Sequence, residues 1–170
     1  VLAVDVGRGQ LHQRLGADPR VRLLERTNIR HLTLQQAGGV RFDLVVADLS
    51  FISLQTVAPA LIEGLAAPGA DVVMLIKPQF EAGRRVVSAG RGVVRDPAVW
   101  CGVLLAVIGS LAGHGAAMMG VMVSPLTGAD GNVEFLVHTI VGADPIGQAE
   151  LAGSVERAVA DATRRFGTAG

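Results

Sequence analysis

Residues 72–76, Val-Val-Met-Leu-Ile, form an unbroken apolar run that ends in Lys77 and is stopped by Pro78. The run is short, rich in branched residues and free of alternation, the pattern of a strand buried on both faces of a parallel sheet. Pro78 ends it because proline cannot donate to the ladder. Lys77 is thereby placed at the carboxyl edge of a buried strand, the rim where open α/β sheets bind ligands. It is also the only lysine of the chain, since the remaining basic residues are all arginine. Arginine provides a fixed charge, whereas lysine can give up its proton near neutral pH in a suitable site. A snorkelling strand-end lysine is the plain alternative. The singularity of Lys77, and the polar residues described below, favour proton chemistry.

The rest of the chain alternates strands and helices. Strands are predicted over 1–5, 21–25, 42–47, 71–77, 117–123 and 133–141, with helical stretches over 10–15, 29–36, 56–65, 97–112 and 148–166. Asp96-Pro97 is a start signal for the fourth helix, with Asp as N-cap and Pro at the first helical position. A polar loop with three glycines spans 81–95, and loops of that length are usually functional. Such alternation gives a doubly wound α/β fold. The last two strands are joined by a loop instead of a helix, which predicts an antiparallel strand at one edge of a mostly parallel sheet. That is the architecture of S-adenosylmethionine-dependent methyltransferases.

Composition narrows the class. The chain has 170 residues, enough for one domain, and half of them are hydrophobic, with a mean hydropathy of +0.46. No apolar run reaches the eighteen or so residues of a membrane span, and residues 99–112 fit a buried helix. The chain opens on Val-Leu-Ala-Val-Asp with neither a basic leader nor a methionine, so we expect it to be part of something longer and cytoplasmic. One cysteine, Cys101, excludes an internal disulfide framework, fits a reducing compartment and reads as a small core residue. A net charge of zero argues against strong non-specific nucleic-acid binding. Two arginine groups, Arg20, Arg22, Arg26 and Arg30, and Arg84, Arg85, Arg91 and Arg95, can face phosphate, although a solvated charged face is the plainer reading. The four histidines lack metal-ligand spacing.

Polar residues gather where the predicted strands stop: Asp5, then Glu25 with Thr27 and Asn28, then Asp48, Lys77 and Glu134. In a parallel sheet these ends share one rim. A carboxylate such as Asp5 can accept hydrogen bonds from ribose hydroxyls, and Thr27 with Asn28 can hold an adenine edge. Asp48, Lys77 and Glu134 form an acid–lysine–acid cluster suited to removing a proton from a hydroxyl. Burial would favour the amine of Lys77, and the two carboxylates would oppose that and serve to orient it. A second placement is open. Asp5-Val6-Gly7-Arg8-Gly9 imitates a glycine-rich cofactor loop, with Glu25 as the ribose acid.

Several segments resemble one family. These are Phe42 to Leu54 with its Asp-Leu-Ser-Phe-Ile-Ser, Ile76-Lys77-Pro78-Gln79-Phe80-Glu81, Ser124-Pro125-Leu126 and Gly131-Asn132-Val133-Glu134-Phe135. With Asp5 to Leu11 and Glu25-Arg26-Thr27-Asn28, they look like the TlyA (haemolysin A-type) family of ribosomal RNA 2′-O-methyltransferases, related to FtsJ. The resemblance implies an FtsJ-like, Rossmann-type methyltransferase domain over residues 1–170 that uses S-adenosyl-L-methionine and acts on ribosomal RNA within ribosomal subunits, without a membrane. It implies that Asp48, Lys77 and Glu134 match the last three members of a Lys–Asp–Lys–Glu catalytic set, with Asp48 also beside the cofactor. It places Asp5 as the ribose-binding acid one strand later than the glycine-rich motif. The family's first sheet strand, first catalytic lysine and S4-type RNA-binding domain precede the start of this chain, so the sheet is expected to lack its first strand. A catalytically inactive RNA- or ribosome-binding fragment is the alternative. A secreted pore-forming haemolysin is disfavoured by the lack of a leader or lytic segment.

Overall fold

The computed structural model describes residues 1–83, 87–88 and 90–167. Strand β1 (Leu2–Val4) leads to helix α1 (Gln13–Gly16), which is shorter than the sequence predicts and capped by the His12 ring. Strand β2 (Arg22–Leu24) is followed by a 3₁₀ turn at Ile29–His31 and helix α2 (Leu34–Ala37). α2 is one turn long, fixed at its start by a Thr33–Gln36 capping box. At its end Gly38, at φ 117°, supplies the left-handed residue that closes a helix. The Arg22 guanidinium donates to the Gln36 and Ala37 carbonyls at 2.6 and 3.3 Å, so this arginine caps the end of α2.

Strand β3 (Phe42–Ala47) precedes helix α3 (Leu54–Ala58). From Pro59 the helix continues as a π-helical segment, Pro59–Leu65. Proline cannot donate the amide hydrogen that an α-helix needs at that point, and the ladder resumes with a wider spacing. Strand β4 (Ala66–Ile76) starts five residues earlier than the predicted strand at 71, because Ala66 pairs with Phe42 before the register shifts between Ala66 and Asp71. Helix α4 (Pro78–Glu81) is a single turn directly after Lys77. Helix α5 (Pro97–Gly113) is opened by the Asp96 carboxylate, which accepts from the Ala98 amide at 2.8 Å. Strands β5 (Ala116–Val123) and β6 (Phe135–Val141) and helix α6 (Gln148–Phe166) complete the chain.

The described strands form two sheets. β1 and β2 are a parallel pair, and the second sheet has the order β3-β4-β6-β5. β3 and β4 are parallel, while β6 is antiparallel to both of its neighbours. The reversed strand therefore lies one place in from the edge, between β4 and β5, and the edge strand β5 runs parallel to β4.

The register assigns faces. Val45, Val72, Thr139 and Met118 lie on one face with Met74, Val137, Ile76, Phe135 and Val123. The residues of β4, β5 and β6 in this set are buried. Helices α3, α5 and α6 cover this face. α5 buries Trp100, Val103, Leu104, Val107, Ile108 and Leu111. α6 buries Val155, Ala158, Val159 and Ala162, the i, i+3, i+4, i+7 stripe of an amphipathic helix. The opposite face carries Leu44, Val46, Val73, Leu75, Leu136 and Met122, of which Leu44, Val46 and Met122 are 59, 70 and 51 % exposed.

Candidate active site

The carboxyl ends of β3 and β4 lie side by side, and antiparallel β6 begins at that same rim. Asp48, Lys77 and Glu134 follow Ala47, follow Ile76 and precede Phe135 respectively. Glu134 lies just outside its strand rather than just inside it, and its carbonyl accepts from the Ser124 amide at 2.8 Å. Three residues remote in sequence are thus brought to one edge.

Lys77 Nζ stands 2.6 Å from Asp48 Oδ1 and donates to Ser50 Oγ at 3.2 Å. Its side chain is 13 % exposed, whereas that of Asp48 is 67 % exposed, so the ammonium is shielded and its carboxylate faces solvent. Glu134 is 7 % exposed. Burial raises its pKa, Lys77 pulls it down, Asp48 pushes it up again, and a hydrogen bond with the Gln79 side chain lowers it; the balance is upward. Gly128 makes room for it, because a Cβ there would overlap the Glu134 carboxylate. Asn132, 3 % exposed, ties the same corner to the preceding loop by accepting from the Val94 amide and donating to the Gly92 carbonyl, both at 3.1 Å.

The loop from Asp48 to Ser53 borders a cleft of about 380 Å³ lined by Phe51, Ile52, Gln79, Phe80, Ala82 and Val87, a volume typical of ligand clefts. Phe51 has φ 62°, an uncommon conformation for a bulky residue that costs on the order of 1–3 kcal/mol. The residue is 90 % exposed, and its ring leans on Phe80 with centroids 5.0 Å apart. The Gln79 Oε1 atom is buried without a hydrogen-bond partner among the described residues. Glu81 accepts from Ser53 Oγ and the Leu54 amide, each at 2.6 Å.

The remaining site residues gather at the ends of β1 and β2. Asp5 Oδ1 accepts from the Gly7 amide at 2.6 Å and Glu25 Oε1 from the Gly9 amide at 2.5 Å. Both glycine amides are therefore spent on carboxylates, while Asp5 Oδ2 has no hydrogen-bond partner among the described residues. Thr27 Oγ1 donates to the Glu25 carbonyl, and Asn28 Oδ1 accepts from the Arg30 amide at 3.0 Å, which leaves the Asn28 amide hydrogens outward. Among the described residues no hydrogen bond or ion pair joins this group to the Lys77 cluster. Of the arginine groups, Arg20 is paired with Asp18 at 2.7 Å, Arg22 caps α2, and Arg84 and Arg85 lie outside the described residues. The strand-end reading named Asp5, Asp48, Lys77 and Glu134 as candidates; Ser50, Phe51, Gln79, Glu81 and Gly128, which border the same corner, were not among them, although the four-residue spacing of Lys77 and Glu81 was a usable signal.

The comparisons with known proteins agree with this fold. An FtsJ-like methyltransferase family model matches residues 1–140. A 16S/23S rRNA (cytidine-2′-O)-methyltransferase TlyA of Mycobacterium tuberculosis is 49 % identical over 162 residues, which cover 95 % of this chain and 59 % of that protein. Hemolysin A of Brachyspira hyodysenteriae is 36 % identical, covering 83 % of this chain and 58 % of that protein. The chain thus spans under two thirds of the length of these relatives. A Streptococcus thermophilus protein solved under the name of hemolysin superposes with a TM-score of 0.89 at 37 % identity, covering 98 % of this chain and 58 % of that one. The N-methyltransferase NodS of Bradyrhizobium japonicum, at TM-score 0.54 and 17 % identity, covering 84 % of this chain and 73 % of that one, shares the fold alone. No described helix is long and apolar enough to cross a membrane. The rim of strand-end carboxylates, the reversed strand beside its parallel neighbours and these likenesses place the chain in the FtsJ-like methyltransferase family, in its TlyA (haemolysin A-type) branch.

Proposed function

We propose that the chain is the catalytic domain of an S-adenosylmethionine-dependent 2′-O-methyltransferase that acts on a cytidine of ribosomal RNA in the cytoplasm. The observation that carries this reading is the shielded Lys77 amine held 2.6 Å from Asp48 at the rim where Glu134 also ends. The donor set at β1 and β2 fits the cofactor: Asp5 keeps one carboxylate oxygen for a ribose hydroxyl, and the Asn28 amide can meet an adenine nitrogen. When bound, S-adenosylmethionine supplies an electrophilic methyl group. The chain's own residues manage the acceptor. Lys77 Nζ first gives up one proton to solvent and, as the neutral amine, takes the proton of the 2′-hydroxyl as its oxygen attacks; Asp48 and Ser50 fix the direction of Nζ, and Glu134 holds the ribose. Positioning provides most of the acceleration in such a transfer. Phe51 offers an exposed ring beside the cleft on which an unstacked base can lie, the usual way single-stranded RNA is read.

Lys77→Arg keeps the charge and the pairing with Asp48 but cannot accept a proton. In the protein expressed from its own gene, methyl transfer to ribosomal RNA is expected to fall by about 10²–10⁴-fold, the usual contribution of a general base. Calorimetry is expected to show unchanged cofactor affinity. Undiminished transfer by Lys77→Arg would sink the general-base role. Absence of transfer by the parent protein would favour an inactive RNA-binding domain instead.

A further inference from the structure

Lys77 caps the start of α4 and Glu81 ends it. Both side chains reach back to the same neighbour, the loop that follows β3. Lys77 Nζ holds Asp48 and Ser50 at its near end. Glu81 holds its far end, where its two oxygens receive Ser53 Oγ, the Leu54 amide and, at 3.4 Å, Gln55 Nε2. Between the two anchor points stand Phe51 and Ile52, with Phe51 in the left-handed region.

We propose that Glu81 is a positioning residue for the transfer, the second point of a clasp that sets the 48–53 loop and its exposed Phe51 ring against the Lys77 cluster. The inference rests on the reading of the cleft given above. A helix cap alone would not need this residue, because the Ser53 hydroxyl already accepts from the Gln55 amide at 3.1 Å. What Glu81 adds is a link to the element that carries Lys77. α4 is one turn long, so its two ends move together, and the distance between proton acceptor and base platform is set by one rigid piece. The left-handed Phe51 persists because both ends of its loop are fixed; with one end released, the ring would relax away from Phe80.

A double-mutant cycle tests this in the protein expressed from its own gene, with Glu81→Ala, Phe51→Ala and the pair. Steady-state transfer to ribosomal RNA, calorimetric cofactor affinity and Tm are measured for each. Phe51→Ala is expected to lose about 10–100-fold in kcat/KM for RNA, the range of one base–aromatic stack. Glu81→Ala is expected to lose a similar factor, mostly through a higher KM for RNA, with cofactor affinity within about twofold. The double variant should be no worse than the poorer single by more than about threefold, since both changes remove the same platform. Glu81→Gln, which retains an acceptor for the Leu54 amide, should recover most of the loss. Losses that multiply in the double variant, or a fully active Glu81→Ala, would overturn the proposal while leaving the cleft reading intact. A fully active Phe51→Ala would overturn the cleft reading and the proposal together. Should Glu81→Ala fail to fold, Ser53→Ala removes one of the three contacts, and the same coupling to Phe51 is required of it.

Discussion

Glu134 occupies a nearly dry position beside Lys77 and Asp48, and its environment favours the protonated acid. A carboxyl whose pKa is higher in the folded state than its ordinary 4.5 weakens the fold at neutral pH, where it must be ionised. That penalty fades as pH falls through the raised value toward 4.5, because the folded state then keeps the proton it prefers. Glu134→Gln is therefore expected to raise Tm near neutral pH, by about 2–4 °C if the gain is on the order of 1 kcal/mol. The difference should close on acidification, and a Tm gap that does not depend on pH would contradict the account. The same residue should impose an acid limb on transfer that starts above the ordinary carboxylate range. The sequence placed Glu134 near the rim but one residue too deep, inside a strand over 133–141, whereas β6 begins at Phe135. The Gly128 that accommodates it was not legible, because a glycine in a Gly/Pro loop reads first as a turn residue.

At the scale of elements, α5 joins the sheet to its helical layer. Trp100 donates its ring N–H to the Val94 carbonyl at 3.0 Å and sets its ring edge-on to Phe135, 6.0 Å away. Leu104 is fully buried one turn further on. Leu104→Ala should cost about 2–5 kcal/mol, measured as a lower urea midpoint with an unchanged slope. A cost below about 1 kcal/mol would mean that α5 packs less closely than described. Both long helices were visible in the sequence, α5 by its Asp-Pro start and α6 by the charges along one face. The π-helical turn at Pro59 was not, since proline within a helical pattern signals an interruption without specifying its form. The position of β6 was also beyond reach, because the loop from β5 fixes its direction while its contact with β4 is a non-local pairing. Phe51 was missed for a related reason: a phenylalanine between Ser50 and Ile52 looks like core, and only the loop conformation turns it outward.

For the molecule as a whole, among the described residues, helices cover one face of the four-stranded sheet, while the other leaves Leu44, Val46 and Met122 exposed. Leu44, Val46 and Met122 present an apolar surface of a kind that soluble monomers seldom leave open over a large area. The isolated chain is expected to bind an apolar fluorescent dye in its native state and to self-associate as concentration rises. Val46→Lys should reduce both while leaving Tm within about 2 °C, given that its side chain is already largely in water. Dye binding unaffected by Val46→Lys would assign the sticky surface elsewhere. The order of the strands has a further effect on timing. Asp48 and Lys77 belong to a parallel pair whose sequence is complete by the middle of the chain, whereas Glu134 reaches the rim only after β5 has been made and β6 has entered between it and β4. Synthesis delivers the chain from its amino end. A protein proposed to modify ribosomes is therefore unable to assemble its acceptor site while the first half of this domain is leaving one.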